Sequence, residues 1–228
     1  AGWHVVIHYS TSRAEAEALA ASLPSAECVG CDLADGDAAE AMIVRLAARL
    51  PDWRVLVNNA STFAEDTTAA PDPQVFAHTM AVNAAAPARM ARVFLGHARS
   101  QAGRRVIQLT DQKLANPNPD FYSYTISKHA VDAAMQMLAI NCTGADRVYR
   151  LAPGAILASH DQTEAEAEVS HRMNLLRRRT GADEIADAAL FLAHAPLASG
   201  QELFIDSGQH LLSQPRDVLY LAREQERR

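Results

Sequence analysis

A tyrosine and a lysine stand four residues apart in the stretch LTDQKLANPNPDFYSYTISK, residues 109–128. Positions i and i+4 of a helix share one face, so the side chains of Tyr124 and Lys128 are expected to lie side by side. An ammonium group beside a phenol favours the phenolate. We therefore expect Lys128 to lower the pKa of Tyr124 from about 10 towards neutrality. Such a tyrosine is suited to donate a proton at physiological pH.

An aspartate stands near the start of the same stretch, just after an apolar run. The ionised carboxylate of Asp111 can only accept hydrogen bonds, and it repels an oxygen atom that gains negative charge during a reaction. A plain ketone therefore fits poorly. A substrate with N–H donors fits well, as does a ring nitrogen that takes up a proton while hydride adds to a C=N bond. The alternative is that Asp111 only closes a turn after a strand.

Composition limits the classes of protein that need to be considered. A chain of 228 residues is long enough for one large domain with its own core. A net charge of −6 argues against a nucleic-acid partner. The sequence shows no apolar run of membrane-spanning length and no signal-peptide pattern, which predicts a cytoplasmic protein with no membrane partner. Cys28 and Cys31 form a C-x-x-C without a second ligand pair, so no metal site is predicted.

Runs rich in β-branched and aromatic residues alternate with alanine-rich helical patterns along the whole chain. Strands are predicted over residues 3–9, 54–58 and 104–110, and helices over 37–50 and 122–142. Apolar strands that alternate with helices predict an α/β fold, in which a doubly wound parallel sheet is covered by helices on both faces.

Polar and turn-forming residues follow several of these strands. "DL" at 32–33, "NNAS" at 58–61 and "PG" at 153–154 all come where a strand ends. Ligands of open α/β sheets bind at the carboxyl ends of the strands. These short segments are therefore candidates for ligand contacts.

The order of these motifs, with NNA between strands and then Tyr-x-x-x-Lys and PG, resembles the short-chain dehydrogenase/reductase family over essentially the whole chain. The resemblance implies a Rossmann-type fold that binds a nicotinamide dinucleotide. It implies Tyr124 as the proton donor, and Lys128 as the residue that holds the nicotinamide ribose. Asn83, in MAVNAAAP, matches the asparagine of the family's proton relay. Asp111 stands where the family usually has a serine, and an aspartate there is typical of its pteridine reductase branch.

Further residues resemble the same branch. In NNAS-T-F, the resemblance implies that Ser61 contacts cofactor and substrate and that Phe63 stacks on a pterin ring, for which an aromatic face is a suitable platform. In HYSTSRAEAEAL, Ser12 and Arg13 suit a 2′-phosphate, which favours NADPH over NADH. Ser12 also has the spacing of a capping box with Glu15. The implied cofactor contacts are His8, Tyr9, Ser12, Arg13, Asp32, Leu33, Asn59, Ala60, Ser61, Tyr124, Lys128, Pro153 and Gly154.

The sequence thus predicts an NADPH-dependent oxidoreductase that reduces a pterin-like C=N substrate of the dihydropteridine, dihydromonapterin or dihydrofolate class. The implied catalytic residues are Asp111, Tyr124, Lys128 and Asn83, and the implied substrate contacts are Ser61, Phe63, Asp111 and Tyr124. Two alternatives stay open. One is a short-chain carbonyl or ketoacyl reductase in which Asp111 is incidental, and the other is a non-catalytic, truncated scaffold.

Both ends of the chain carry an expectation. None of the 10 glycines forms Gly-x-Gly-x-x-Gly, and a doubly wound sheet normally opens with a strand, a Gly-rich turn and a helix. We therefore expect a single domain over 1–228 that is N-terminally incomplete and lacks that first unit. The tail 213–228 is predicted to lie at a subunit interface through Val218, Leu219 and Leu221, because the family commonly forms homotetramers.

Overall fold

The computed structural model describes residues 2–159 and 162–226. Strands and helices alternate along the chain as the sequence predicts. The strands are β1 (Val5–Tyr9), β2 (Ala26–Gly30), β3 (Val55–Asn58), β4 (Arg105–Leu109), β5 (Arg147–Pro153) and β6 (Glu202–Ile205). The helices are α1 (Arg13–Ser22), α2 (Gly36–Arg49), α3 (Pro73–Met80), α4 (Ala86–His97), α5 (Tyr122–Ile140), α6 (Glu164–Ser170), α7 (Ala182–His194) and α8 (Val218–Glu226).

The strands form two separate parallel sheets. One sheet pairs β1 with β2, and the other has the order β3-β4-β5-β6. Over the residues that the structure describes, β1 and β3 each pair with a strand along one edge only. Large apolar side chains at these strands stay exposed, with Val5 at 38% and Val57 at 45% of full exposure. The α/β class is confirmed, and the sheet is divided.

Helices cover both faces of the four-stranded sheet. Successive residues of a strand point to opposite faces. Val106 and Val148 accordingly pack with α2, α4 and α5 on one face, whereas Ile107 and Tyr149 pack under α7 on the other. Val6 of β1 and Val29 of β2 pack against the first of these clusters. The smaller sheet therefore shares a core with the larger one.

Short polar side chains begin two of the helices. Asp35 accepts hydrogen bonds from Asp37 N and Ala38 N at the start of α2, and Asp72 does the same before α3, where Pro73 takes the first helical position. The capping box expected at Ser12 and Glu15 is wrong. Ser12 precedes α1 with a backbone unlike that of a standard cap, and its side chain makes no capping hydrogen bond.

The C-terminal segment folds back onto its own chain. Val218, Leu219 and Ala222 of α8 are buried, α8 packs against α6, and Arg223 Nε donates to Glu166 Oε1 at 2.7 Å. Two of the three apolar residues that suggested an interface, Val218 and Leu219, are thus buried within the chain, whereas Leu221 is partly exposed. A subunit interface at this segment stays a prediction, and residues 227–228 of the tail lie outside the described residues. Within the described part of the chain, no helix is long and apolar enough to cross a membrane.

Candidate active site

Tyr124 and Asp111 are in direct contact. Asp111 follows β4, and Tyr124 lies in the first turn of α5, so the sheet and the helix bring the two side chains together from thirteen positions apart. The Tyr124 hydroxyl donates to Asp111 Oδ2 at 2.6 Å. Asp111 Oδ1 accepts from Lys113 N at 2.8 Å. The aspartate does close a turn, and it binds the phenol with its second oxygen.

The electrostatics of this pair differ from the expectation. Burial and the neighbouring Asp111 carboxylate raise the pKa of Tyr124 well above its ordinary value. The predicted lowering by Lys128 is wrong, because the Lys128 ammonium lies 5.5 Å from the centre of the Tyr124 ring and donates to a backbone carbonyl instead. Burial also raises the pKa of Asp111, against the opposing effects of Tyr124, Lys113 and Lys128. The phenol therefore stays protonated, and the carboxyl group is the member of the pair that more readily exchanges its proton.

Lys128 lies one helical turn beyond Tyr124 and is buried. Its Nζ donates to Leu109 O at 3.0 Å, which is its one hydrogen-bond acceptor among the residues that the structure describes. Burial lowers the pKa of Lys128 to about 8. An ammonium group has three donors, so Lys128 retains donors for a bound hydroxyl group.

Asn83 connects the helices around the site. It lies in a π-helical turn, Ala81–Ala85, that joins α3 to α4, a type of distortion that often marks functional sites. Its Oδ1 accepts from Thr62 N, and its Nδ2 donates to Thr62 O, both at 2.8 Å. Nδ2 also lies 3.2 Å from Ser127 Oγ on α5. Asn83 thus fixes the loop after β3 against α5 beside Tyr124 and Lys128.

Aromatic rings form a column beside Tyr124. Phe63 packs edge-to-face with Tyr124, with ring centroids 4.6 Å apart, and stacks on Phe121 at 4.0 Å. Phe121 stacks in turn on Tyr220 of α8 at 5.9 Å. Phe121 has a left-handed backbone, with φ of 52°, which is unusual for a bulky residue and concentrates at functional sites. Phe63 is therefore placed beside the Tyr124–Asp111 pair, as the sequence suggests.

Four of the implied cofactor contacts lie at the end of β1 or just after it. His8 Nε2 lies 2.8 Å from Cys31 O, and the Tyr9 ring covers Gly30, where an added Cβ would lie 2.9 Å from it. Ser12 is exposed, and Arg13 pairs with Glu17 at 2.7 Å on the open surface of α1. These residues occupy the carboxyl end of the small sheet.

The remaining implied contacts lie beyond other strand ends. Asp32 accepts from Ala34 N in a turn after β2, and the side chain of Leu33 is buried. Asn59, Ala60 and Ser61 are exposed after β3. Pro153 ends β5, and the adjacent Gly154 is packed so tightly that an added Cβ would lie 2.8 Å from Asp206 Cβ and from Gln209 Oε1.

Several residues of this neighbourhood were missed by the sequence analysis. Asp66 is buried and accepts from Ser123 N and Ser123 Oγ at the start of α5. Lys113 lies 5.2 Å from the centre of the Phe121 ring. The loop 111–121 also binds the C-terminal segment through Lys113 and Asp120. Their only local signal is a cluster of charges beside the tyrosine, which by itself is typical of a solvated surface.

Comparison with known proteins agrees with this geometry. Residues 1–210 match the family model described as Enoyl-(Acyl carrier protein) reductase. Dihydromonapterin reductase of Escherichia coli O6:K15:H31 (strain 536 / UPEC) is 24% identical over 221 residues, which cover 92% of this chain and 90% of that protein.

Comparison with solved structures also finds reductases. The crystal structure of FolM alternative dihydrofolate reductase 1 from Brucella canis, complexed with NADP, is 30% identical with a TM-score of 0.86 and covers 95% of this chain and 87% of that one. Landomycin C-6 ketoreductase LanV, with bound NADP and rabelomycin, is 25% identical with a TM-score of 0.78, covering 92% and 86%. The chain belongs to the short-chain dehydrogenase/reductase family of oxidoreductases, and its relatives include the pteridine reductase branch.

Proposed function

We propose that this protein is an NADPH-dependent reductase of a pterin-like C=N substrate, in the dihydropteridine, dihydromonapterin or dihydrofolate class. The observation that carries the proposal is the hydrogen bond of 2.6 Å between the buried Tyr124 and the half-buried Asp111. A carboxyl group with a raised pKa can hold a proton for a ring nitrogen, and after giving up that proton it can accept a hydrogen bond from the new N–H group. The similarity to dihydromonapterin reductase and to FolM supports this choice.

The residues of the site have separate tasks in this proposal. Asp111 delivers a proton to the ring nitrogen, and Tyr124, which stays protonated, stabilises the resulting carboxylate by its hydrogen bond to Oδ2. Asp111 takes up its next proton from water after the product leaves. Phe63 presents an aromatic surface to the flat ring. Asn83 holds the Phe63 loop against α5 through Thr62. Ser61 follows the exposed end of β3 and is the second polar contact for cofactor and substrate.

The chain's own residues fit the two ends of a nicotinamide dinucleotide phosphate. Lys128 has a buried ammonium with donors left for ribose hydroxyls, and exposed Ser12 and Arg13 suit a 2′-phosphate. Asn59 and Ala60 are exposed just beyond the carboxyl end of β3 and are further implied contacts. The bound cofactor supplies the hydride. NADP in the FolM and LanV structures supports this assignment.

Reduction of a ketone is the second candidate function. The observation in its favour is the similarity to the ketoreductase LanV. Tyr124 and Lys128 serve either reaction, so Asp111 is the residue that separates them. A carboxylate that occupies the phenol's hydrogen bond leaves less donor capacity for a carbonyl oxygen.

Steady-state oxidation of NADPH tests the proposal directly. The unaltered chain is assayed with a dihydropteridine, with dihydrofolate and with a panel of aromatic and acyl ketones. Asp111→Ser is then compared in both assays, because a serine hydroxyl can donate to a carbonyl oxygen. We expect turnover of the dihydropteridine and an about 100-fold loss in Asp111→Ser, with little loss or a gain on ketones. Ketone turnover without pteridine turnover would reject the proposal, and calorimetry without NADPH binding would point to the scaffold.

A further inference from the structure

Hydrogen bonds connect the C-terminal segment, residues 213–226, to the Tyr124–Asp111 pair. Lys113 is buried, with 4% of its surface exposed. Its Nζ donates to Asp217 Oδ2 at 3.0 Å, and its backbone N–H donates to Asp111 Oδ1 at 2.8 Å. Asp111 in turn binds the Tyr124 hydroxyl at 2.6 Å. Lys113 thus binds the segment with its side chain and Asp111 with its backbone, and Asp111 binds the phenol.

The same segment also holds the far end of the loop 111–121. Lys113 Nζ lies 3.2 Å from Asp120 O. The Asp120 carboxylate is almost fully buried, at 2% exposure, and it accepts from Arg216 Nε at 2.7 Å and from Asp217 N at 2.8 Å. Arg216 and Asp217 therefore fasten both ends of the loop that connects Asp111 to the start of α5.

A buried ammonium group requires a counter-charge, because removing it from water without one is costly. The nearest carboxylate to Lys113 Nζ in the structure is that of Asp217. Asp217 makes no hydrogen bond to Asp111 or to Tyr124 among the described residues, so any effect on the position of the Asp111 carboxyl group is transmitted by Lys113. The charge of Asp217 also acts directly on the pKa of Tyr124.

We propose that Asp217 is a positioning residue for the reduction: it fixes Lys113, and Lys113 fixes the Asp111 carboxyl group against Tyr124. The proposal rests on the role in proton transfer given above to Asp111. By this proposal the C-terminal segment contributes to the active site, although it lies about 100 positions beyond Lys113 in the sequence.

The charges around Tyr124 and Asp111 predict the direction in which each substitution shifts the pKa of Asp111. Lys113 and Lys128 lower the pKa of Asp111, and Asp217 raises the pKa of Tyr124. Removing the negative charge of Asp217 leaves the ammonium of Lys113 uncompensated, so the pKa of Asp111 falls. Removing the ammonium itself raises the pKa of Asp111. If Asp217 and Lys113 served only the stability of the fold, substituting them would not shift the pKa of Asp111 in opposite directions.

The experiment uses Asp217→Asn, which keeps an acceptor oxygen for Lys113, together with Lys113→Met and the double variant. The carboxyl carbon of Asp111 is titrated by ¹³C NMR in the full chain without any substrate. We expect a lower pKa in Asp217→Asn, a higher one in Lys113→Met and a value near the original in the double variant. In turnover, Asp217→Asn should lower kcat about tenfold with little change in KM, because a small misplacement at the reacting groups slows the reaction.

Asp146→Asn is the matched control, because Asp146 is a half-buried partner of Arg104 at the opposite, amino-terminal ends of β4 and β5. It should leave the titration of Asp111 unchanged, and Asp217→Glu should restore most of kcat. An unchanged Asp111 titration in both Asp217→Asn and Lys113→Met would overturn the proposal. Absence of dihydropteridine turnover by the unaltered chain rejects the proposed function instead, and the titration, which needs no substrate, then decides this inference.

Discussion

Replacement of Tyr124 by Phe and of Asp111 by Asn, singly and together, tests whether the two side chains act as one unit. A positioned proton donor contributes about 100- to 10,000-fold to a rate, or about 2.7–5.4 kcal/mol at the transition state. The hydrogen bond between them is 2.6 Å long and partly buried. A hydrogen bond to a charged group contributes about 1.5–3 kcal/mol, which sets the smallest coupling that we expect.

The assay is single-turnover oxidation of NADPH with a dihydropteridine at saturating concentration. If the pair acts as a unit, the double variant is about as slow as the slower single variant, because either change already removes the hydrogen bond on which proton transfer from Asp111 depends. Tyr122→Phe is the matched control, since Tyr122 precedes Tyr124 on α5 without contacting Asp111. Losses that simply add in free energy would refute the reasoning, and so would a control as slow as Tyr124→Phe.

Three further outcomes follow from the geometry. The pKa of Asp111 is raised in the folded protein, so its contribution to stability is present at low pH and is lost as pH rises through that pKa. Asp111→Asn should therefore gain stability relative to the unaltered chain as pH rises above about 4, the ordinary pKa of an aspartate, in urea unfolding. Lys128, with a pKa of about 8, loses its charge above that pH, so activity should fall there and Lys128→Arg, if active, should lack this fall in a pH–rate profile. Arg216→Ala leaves the buried Asp120 without its cation and should lower the free energy of unfolding by about 3 kcal/mol, whereas Arg92→Ala on the exposed surface should change it little.

The regular elements, and the pair of Tyr124 and Lys128 near the start of α5, were predictable because their signals are local. Alternating apolar runs fix the strands, and the spacing of Tyr124 and Lys128 on one helix places both beside the end of β4. Each of these features depends on residues within about twenty positions of one another.

Features that depend on distant residues were not predictable. Lys113 and Asp217 are 104 positions apart, and neither side chain is unusual in its own segment. The direction of the Tyr124 pKa was wrong for a related reason. Spacing alone reveals neither burial nor the hydrogen bond from Lys128 to Leu109 O. The capping box at Ser12 failed because a favourable residue spacing does not fix the backbone conformation before α1.

The open edges of β1 and β3 have a consequence for how the protein behaves at high concentration. Each edge presents a row of main-chain donors and acceptors next to exposed valines, Val5 and Val57. Such an edge is a template onto which any extended polypeptide can add, including the same strand of another copy. Self-association by strand addition should therefore interfere with crystallisation and with long assays. Replacing Val57 by a charged residue such as lysine should suppress it.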